Sequence, residues 1–513
     1  MLKRILLPII TVLTVMILLT VSVSADEASY ANARFDVRGF SSPENVFDDS
    51  KATYSESYGT PKVTVSRDDS IGGVYVIFDK VPSAWSIKNK ADDVTVQCGT
   101  NGFLHEYVAI DSSYEGDVTE LELIFAEGTV VTEIYVFSKG DLPDWVQVWE
   151  PQLEKADLML LPSHADDEQL FFAGVLPYYA VERGMKVQVV YLVNHNDTHE
   201  RPHELLDGLW TVGIRNYPEI SNFPDLYSES TDRTVAKNNA LAAYEQEGYT
   251  FEDFVEYITA CIRRFKPIVL VSHDTNGEYG HGTHVVAADA IAEALKCSMN
   301  AAKYPESAEK YGKWIPDKVY LHLYPENPLT LDIDTPYDSL GGKTPFQVTQ
   351  EGFRCHKTQL WTWFGEWIYG TTADPITKAT QIEDYSPCKY GLFYSSVGPD
   401  KISRDFFENT NTHEGKLIDA ETQTAVTLAP VETLPSELII GGSSTDEAMT
   451  ENSVDQSSPS DSGNVENNNQ PAIIAIVLAA VTICIVIVIF TVGASRTNTR
   501  TRRRKKINRN RYN

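Results

Sequence analysis

DLMLLPSHADDE, residues 157–168, decides the fold of this chain. A short apolar run, 158–161, meets Pro162 and then a polar turn holding one histidine and three consecutive acids. Such a run between turn residues is a buried strand. Polar groups just past the end of a strand lie where open α/β sheets hold ligands. Residues 168–183 read as a helix stopped by Gly184. The pattern repeats outward. VQVVYLV (187–193) and IVLVS (268–272) read as strands, and 201–213, 251–265 and 284–297 as helices. In the longest, Phe251, Phe254, Val255, Ile258, Ile262 and Phe265 share one face, and Pro267 ends it.

Strand and helix alternating over residues 151–430 predict an α/β domain, a Rossmann-like parallel sheet with helices on both faces. Residues 26–150 read differently. VYVIF (74–78), VTVQ (94–97), HEYVAI (105–110), TELELIFA (119–126) and VTEIYVF (131–137) are short, β-branched and aromatic, which predicts an all-β sandwich. Within it NVFDDSKATY (45–54) resembles the early loop of discoidin-like, galactose-binding-like domains. That resemblance implies a jelly roll that often binds glycans; a spacer sandwich without a ligand fits the residues equally well.

The ends carry other signals. Lys3 and Arg4, an apolar run over 5–21 and the small residues Val23, Ser24 and Ala25 have the pattern of a secretory signal peptide, residues 1–25. Residues 431–470 are polar and acidic, a stalk that cannot bury enough surface to fold. Residues 471–494 hold no charge and are long enough for one transmembrane helix. The tail, 495–513, carries nine basic residues and no acid, a cytoplasmic flank. These segments predict a single-pass, type I protein of the cell surface, anchored by one C-terminal helix with its catalytic domain outside. The formal net charge of −29, despite that basic tail, excludes nucleic acid as a partner. Five cysteines precede the apolar segment, an odd number that argues against a disulfide framework; one bridge, Cys355 with Cys388, is left open. No CxxC pair exists to build a thiolate zinc site.

Two loops hold the chemistry, each directly after a strand: SHADDE (163–168) and HDTNGEYGHGTH (273–284). Acids at a helix start are ordinary, because free N–H groups and the helix dipole favour them. A histidine among them is not, and a divalent cation would account for it, since neutral imidazole and carboxylate suit zinc. The second loop adds His281 and His284 among three glycines, which permit tight turns and close approach to a ligand. Spacing alone leaves a metal site and a structural role open.

These two loops resemble the PIG-L/LmbE-like deacetylase family, whose motifs are (A/P)HxDDE and a glycine-rich GHxDH. The likeness covers residues 153 to about 300 and extends to FRCHKTQ (353–359) and YGLFYSSVGPDKISRDFFEN (390–409). It implies a zinc-dependent N-deacetylase acting on an N-acetylglucosamine-type sugar, with one zinc per domain. It assigns His164, Asp167 and His284 as metal ligands and Asp166 as general base. His281 would stabilise the oxyanion and protonate the leaving amine, while Tyr279 and Arg201 bind substrate. A salt bridge to Glu204 is an equal reading for Arg201. The family's acid before the last histidine is here Thr283, which weakens the expected general acid unless Asp274 substitutes.

Two clusters remain. Trp361, Trp363 and Trp367 suggest a sugar-stacking wall or, more commonly, core. His195, His199 and His203 read as residues lining the mouth of the cleft or, more commonly, as solvated loop histidines. The function expected is removal of an N-acetyl group from a surface glycoconjugate, with oligomeric state open. The rival is an inactive glycan-binding surface protein on the same scaffold.

Overall fold

We describe the protein from a computed structural model covering residues 27–91, 93–110 and 116–415, all within one compact unit. The expected leader (1–25), stalk (431–470), membrane segment (471–494) and basic tail (495–513) lie outside the described residues. The single transmembrane helix and the type I surface placement are corrected: among the described residues no helix is long and apolar enough to cross a membrane.

The N-terminal region is all-β, but it is not two separate sheets. Its strands are β1 (Arg34–Phe40), β2 (Ser55–Ser66), β3 (Ile71–Phe78), β4 (Trp85–Asn89), β5 (Thr95–Cys98), β6 (His105–Ala109), β7 (Glu120–Ile124) and β8 (Val130–Ser138). They form one antiparallel path, β5-β4-β7-β2-β8-β3-β6, with β1 also on β2. The cause is β2. Its C-terminal half pairs with β1 and β7, whereas Ser55 and Glu56 pair with β8. Between them Gly59 takes a φ of 65° and Pro61 has no N–H to donate, so the strand bends and changes partners. Glu106 on β6 then draws the open ends together, accepting from Trp85 Nε1 at 2.6 Å and from Gly99 N–H at 2.9 Å. The expected sandwich is therefore a nearly closed antiparallel sheet.

The second sheet joins β9 (Leu158–Leu161), β10 (Val187–Tyr191), β11 (Glu219–Ile220), β12 (Val269–Ser272), β13 (Lys318–His322), β14 (Pro328–Thr330) and β15 (Lys389–Ser395), in the order β11-β10-β9-β12-β13-β15-β14. The first five are parallel; β15 and β14 are antiparallel, which corrects the expected all-parallel sheet to a mixed one. Chain 323–388 leaves and re-enters at one edge, with His322 opposite Tyr390, so it makes no crossover to the far end.

Alternate residues of the central strands feed two cores. Leu158, Leu160, Val269 and Val271 face one; Met159, Leu161 and Leu270 face the other. On the second face lie α2 (Arg233–Gln246), α3 (Phe251–Phe265) and α4 (Gly282–Ser298). On the first lie α1 (Glu200–Thr211), the segment 170–179 and α6 (Pro345–Phe353); α5 (Pro305–Tyr311) and α7 (Trp363–Tyr369) complete the helices. The helix expected over 168–183 begins instead as a run of tight turns and becomes helical only at its end, in a π-helical segment, Pro177–Glu182. Gly174, at φ 80°, lies against Ile333, where a Cβ would fall 2.6 Å from its side chain.

The two sheets share a core, since the first hydrophobic cluster runs from Val63 and Leu121 through to Leu158 and Leu205. Polar bonds fasten the seam: Lys51 to Asp207 at 2.6 Å, Leu104 N–H to Tyr217 Oη at 3.1 Å, and buried His105 to buried His203 at 2.8 Å. Cys355 and Cys388, the one pairing left open by the sequence, are both free thiols.

Candidate metal and catalytic site

β9 and β12 are parallel neighbours with Leu161 opposite Ser272, so both motif loops leave the sheet at one edge. Ser272 Oγ donates to the Leu161 carbonyl at 2.7 Å, tying the two strand ends. The loops then fold onto each other. His164 Nδ1 lies 3.1 Å from His284 Nε2 and 3.2 Å from Asp167 Oδ2; His284 Nε2 lies 3.4 Å from that same oxygen. Three donors about a tetrahedral zinc with bonds of ~2.0 Å stand roughly 3.3 Å apart. The spacing therefore fits one cation, with a fourth position left open.

The far side of each imidazole supports this fit. His284 Nδ1 donates to Glu278 at 2.7 Å, and His164 Nε2 faces Asp225 at 3.4 Å. A carboxylate behind a metal-binding imidazole sets its tautomer and orientation. Two further groupings close enough to share a cation overlap this one, His164 with His281 and His284, and His273 with Asp167 and His284. For His273 the second is ruled out. Its Nε2 already accepts the Ser163 N–H at 2.8 Å, so its lone pair is taken and we leave it out of the ligand set.

Behind the ligands sits a buried hub. Glu278 accepts from His273 Nδ1 at 2.8 Å, His284 Nδ1 at 2.7 Å, His322 Nδ1 at 2.7 Å and Asp274 N–H at 3.1 Å. Burial alone would raise this carboxyl, but the histidines hold it well below the usual range. Asp167 behaves alike: burial opposes ionisation, and His284, His273 and His164 overcome it. For His164 burial disfavours the charge, yet Asp225 and Asp167 raise it to about 10.

Asp166 stands beside the ligands with its φ at 119°, a conformation that costs a non-glycine residue energy and is held by its surroundings. Burial pushes its carboxyl up to about 7, against the pull of Arg201. Arg201 Nη2 donates to the Ala165 carbonyl at 2.6 Å and lies 3.6 Å from Asp166. It does not pair with Glu204, whose carboxylate accepts from Thr358 N–H and Oγ1.

His281 packs its ring 4.5 Å from His164 and 4.6 Å from His284. Its Nδ1 has no hydrogen-bond partner among the described residues, and burial followed by the charge of His164 holds its pKa well below the ordinary value. Asp274 does not fill the gap left by Thr283; it caps its own turn by accepting from the Asn276 N–H at 3.1 Å. Tyr279, at φ 48°, lies 5.5 Å from His281 and 5.8 Å from His284.

Residues 159–295 match the family PIG-L: GlcNAc-PI de-N-acetylase. This region is a PIG-L family domain. The chain is 24% identical to a 1D-myo-inositol 2-acetamido-2-deoxy-alpha-D-glucopyranoside deacetylase of Geodermatophilus obscurus, over 37% of this chain and 68% of that protein. It is 23% identical to a probable N-acetylglucosaminyl-phosphatidylinositol de-N-acetylase of Schizosaccharomyces pombe, over 43% and 84%. Among solved structures, N,N'-diacetylchitobiose deacetylase from Pyrococcus horikoshii aligns over 46% of this chain and 84% of that one, at 14% identity and a TM-score of 0.32.

The PIG-L domain also recruits residues that sequence reasoning missed. His195, read as solvated, is buried; its Nε2 accepts the Ala165 N–H at 2.9 Å and its Nδ1 lies 3.2 Å from Asp225. His203 is buried in the seam, and His199 is bound to Asp79 at 2.6 Å. Asp225 and His322 carry no local signal, because their partners are distant in sequence; Glu278 lies inside the second motif, five and six residues from His273 and His284, and that spacing is the signal that could have found it. Two of the three tryptophans depart from the core expectation, Trp361 at 82% exposed and Trp363 at 47%, whereas Trp367 packs against the core.

The glycines of the second motif have a steric reason. Gly282 N–H donates to the Ser228 carbonyl at 2.8 Å, and a Cβ there would lie 2.1 Å from Ser228 Oγ and 2.4 Å from the Ala236 carbonyl. Gly282→Ala should therefore lower stability by about 1–3 kcal/mol, the range for forced overpacking. Thermal melts of both proteins check this; an unchanged Tm would show that the 228–236 backbone yields freely.

Proposed function

We propose that the chain is a zinc-dependent N-deacetylase acting on an N-acetylglucosamine-type sugar. The observation that carries this reading is the mutual approach of His164, Asp167 and His284 to within 3.1–3.4 Å, with the Asp166 carboxylate next in the chain, inside a PIG-L domain. Those three side chains would hold the cation. When bound, it supplies a Lewis acid for the amide carbonyl and acidifies water.

The remaining steps belong to the protein. Asp166 takes a proton from the attacking water as the new C–O bond forms. Arg201 and the Ala165 carbonyl fix the loop that aims it. His281, buried and neutral, donates a hydrogen bond to the oxyanion. With no carboxylate behind it, His281 is poorly suited to carry a second proton, so Asp166 returns its proton to the nitrogen as the C–N bond breaks. Acetate and the free amine leave. Tyr279 lines the sugar side of the cleft.

Exhaustive chelation should abolish acetate release from N-acetylglucosamine substrates, and added Zn2+ should restore it. Full activity in a protein shown to be free of metal would end the metal-dependent reading.

A further inference from the structure

Two exposed aromatic rings adjoin the candidate catalytic histidine through ring contacts. The Tyr227 ring, 71% exposed, stands 5.4 Å from His281 in an edge-to-face arrangement. Tyr279 lies 5.5 Å from His281, and half-exposed Trp363 lies 5.5 Å from Tyr279. The four rings form a continuous chain of contacts that includes His281. Exposed apolar surface beside a cleft marks a ligand groove.

Both outer rings are held in place. The segment carrying Tyr227 is bonded to the second motif by Gly282 N–H to the Ser228 carbonyl at 2.8 Å and by Ser230 N–H to the Gly280 carbonyl at 3.0 Å; the Tyr227 hydroxyl is bonded to Glu229. Trp363 begins α7, which Thr362 caps, Trp367 Nε1 anchors to the Asp384 carbonyl at 3.1 Å, and Phe364 packs against Tyr279 at 5.8 Å. Rigid aromatic faces lose little conformational entropy on binding.

We propose that Tyr227 and Trp363 are stacking subsites beside the reacting sugar, so that the substrate is a neutral N-acetylglucosamine oligosaccharide gripped over more than one ring. Pyranose rings present apolar C–H faces to aromatic planes and hydroxyls to polar neighbours. Charge favours a neutral chain. Partly exposed Asp225 lies within reach of His164, and Glu229 lies beside Tyr227. A phosphate-bearing headgroup at these rings would meet like charge.

This inference rests on the deacetylase reading, and its test separates the two. The full-length chain and its Tyr227→Ala, Trp363→Ala and Trp363→Phe variants are assayed on N-acetylglucosamine, N,N',N''-triacetylchitotriose and vesicles carrying N-acetylglucosaminyl-phosphatidylinositol. Acetate release gives kcat/KM, and calorimetric titration with the same sugars gives binding without turnover. The trisaccharide should bind at least tenfold more tightly than the monosaccharide. Each alanine variant should lower the trisaccharide-to-monosaccharide ratio by about two- to tenfold, the worth of one aromatic contact, with Trp363→Phe retaining most of it. Equal binding of the two sugars, a ratio untouched by the alanine variants in correctly melting protein, or a preference for the vesicles would overturn the subsites. If no sugar is turned over by the wild-type protein, the deacetylase reading fails while the titrations still decide the subsites.

Discussion

Asp166→Asn should lower kcat for acetate release by about 10²–10⁴-fold, the usual contribution of a general base. The substitution keeps size and shape, and Asn has backbone preferences close to those of the Asp it replaces, so the strain at φ 119° changes little. What it removes is the lone pair that accepts the proton of the attacking water. The proposed cation donors are His164, Asp167 and His284, so bound zinc, measured by elemental analysis, should stay at the wild-type level. KM should change little, because substrate binding draws on the cleft walls and not on this carboxylate. The variant thus separates loss of chemistry from loss of metal. A kcat within tenfold of wild type, at full zinc content, would remove Asp166 from the proposed mechanism.

Glu278→Gln should act on the scaffold and on the metal together. One fully buried carboxylate receives three imidazole N–H groups and one backbone N–H. The amide has a single acceptor oxygen and turns its NH2 toward a donor it cannot satisfy. Breaking a buried charged contact of this kind costs about 3–5 kcal/mol, with the loss shared among the four donors. A carboxylate behind a metal-binding imidazole is separately worth about 10–100-fold in metal affinity or activity. We expect a Tm lower by several degrees and weaker zinc retention against a competing chelator. His322→Ala, which removes a hub partner that is not a ligand, should lower Tm with a smaller effect on zinc. Wild-type Tm and wild-type zinc retention in Glu278→Gln would show that the hub does not support the site.

Much of the α/β region was legible because its signals are local. The apolar face of residues 251–265 lies within a few turns of chain, and the helix spans Phe251–Phe265. The run at 158–161 is a strand, and both motif loops start at strand ends. The irregular turns at 163–174 were not legible, since positive φ at Asp166 and Gly174 is set by packing against Ile333 and the second loop. Helix Arg233–Gln246 escaped notice because its apolar face is narrow, only Ala236, Ala240 and Tyr244 being buried.

By itself the sequence determined which chemistry was available: two histidine- and acid-bearing loops on strand ends, with glycines where the backbone must come close. Their spacing along the chain expressed this directly, because strand and helix periods and motif order are short-range properties. Only the tertiary structure decided how the residues share the work. It set Asp225 and Glu278 behind the imidazoles, committed His273 to a backbone N–H and left His281 without an acid. It also brought Trp363 out of the core to the cleft's edge. Those outcomes depend on contacts between residues far apart in the chain, and such contacts exist only once both sheets have closed on one shared core.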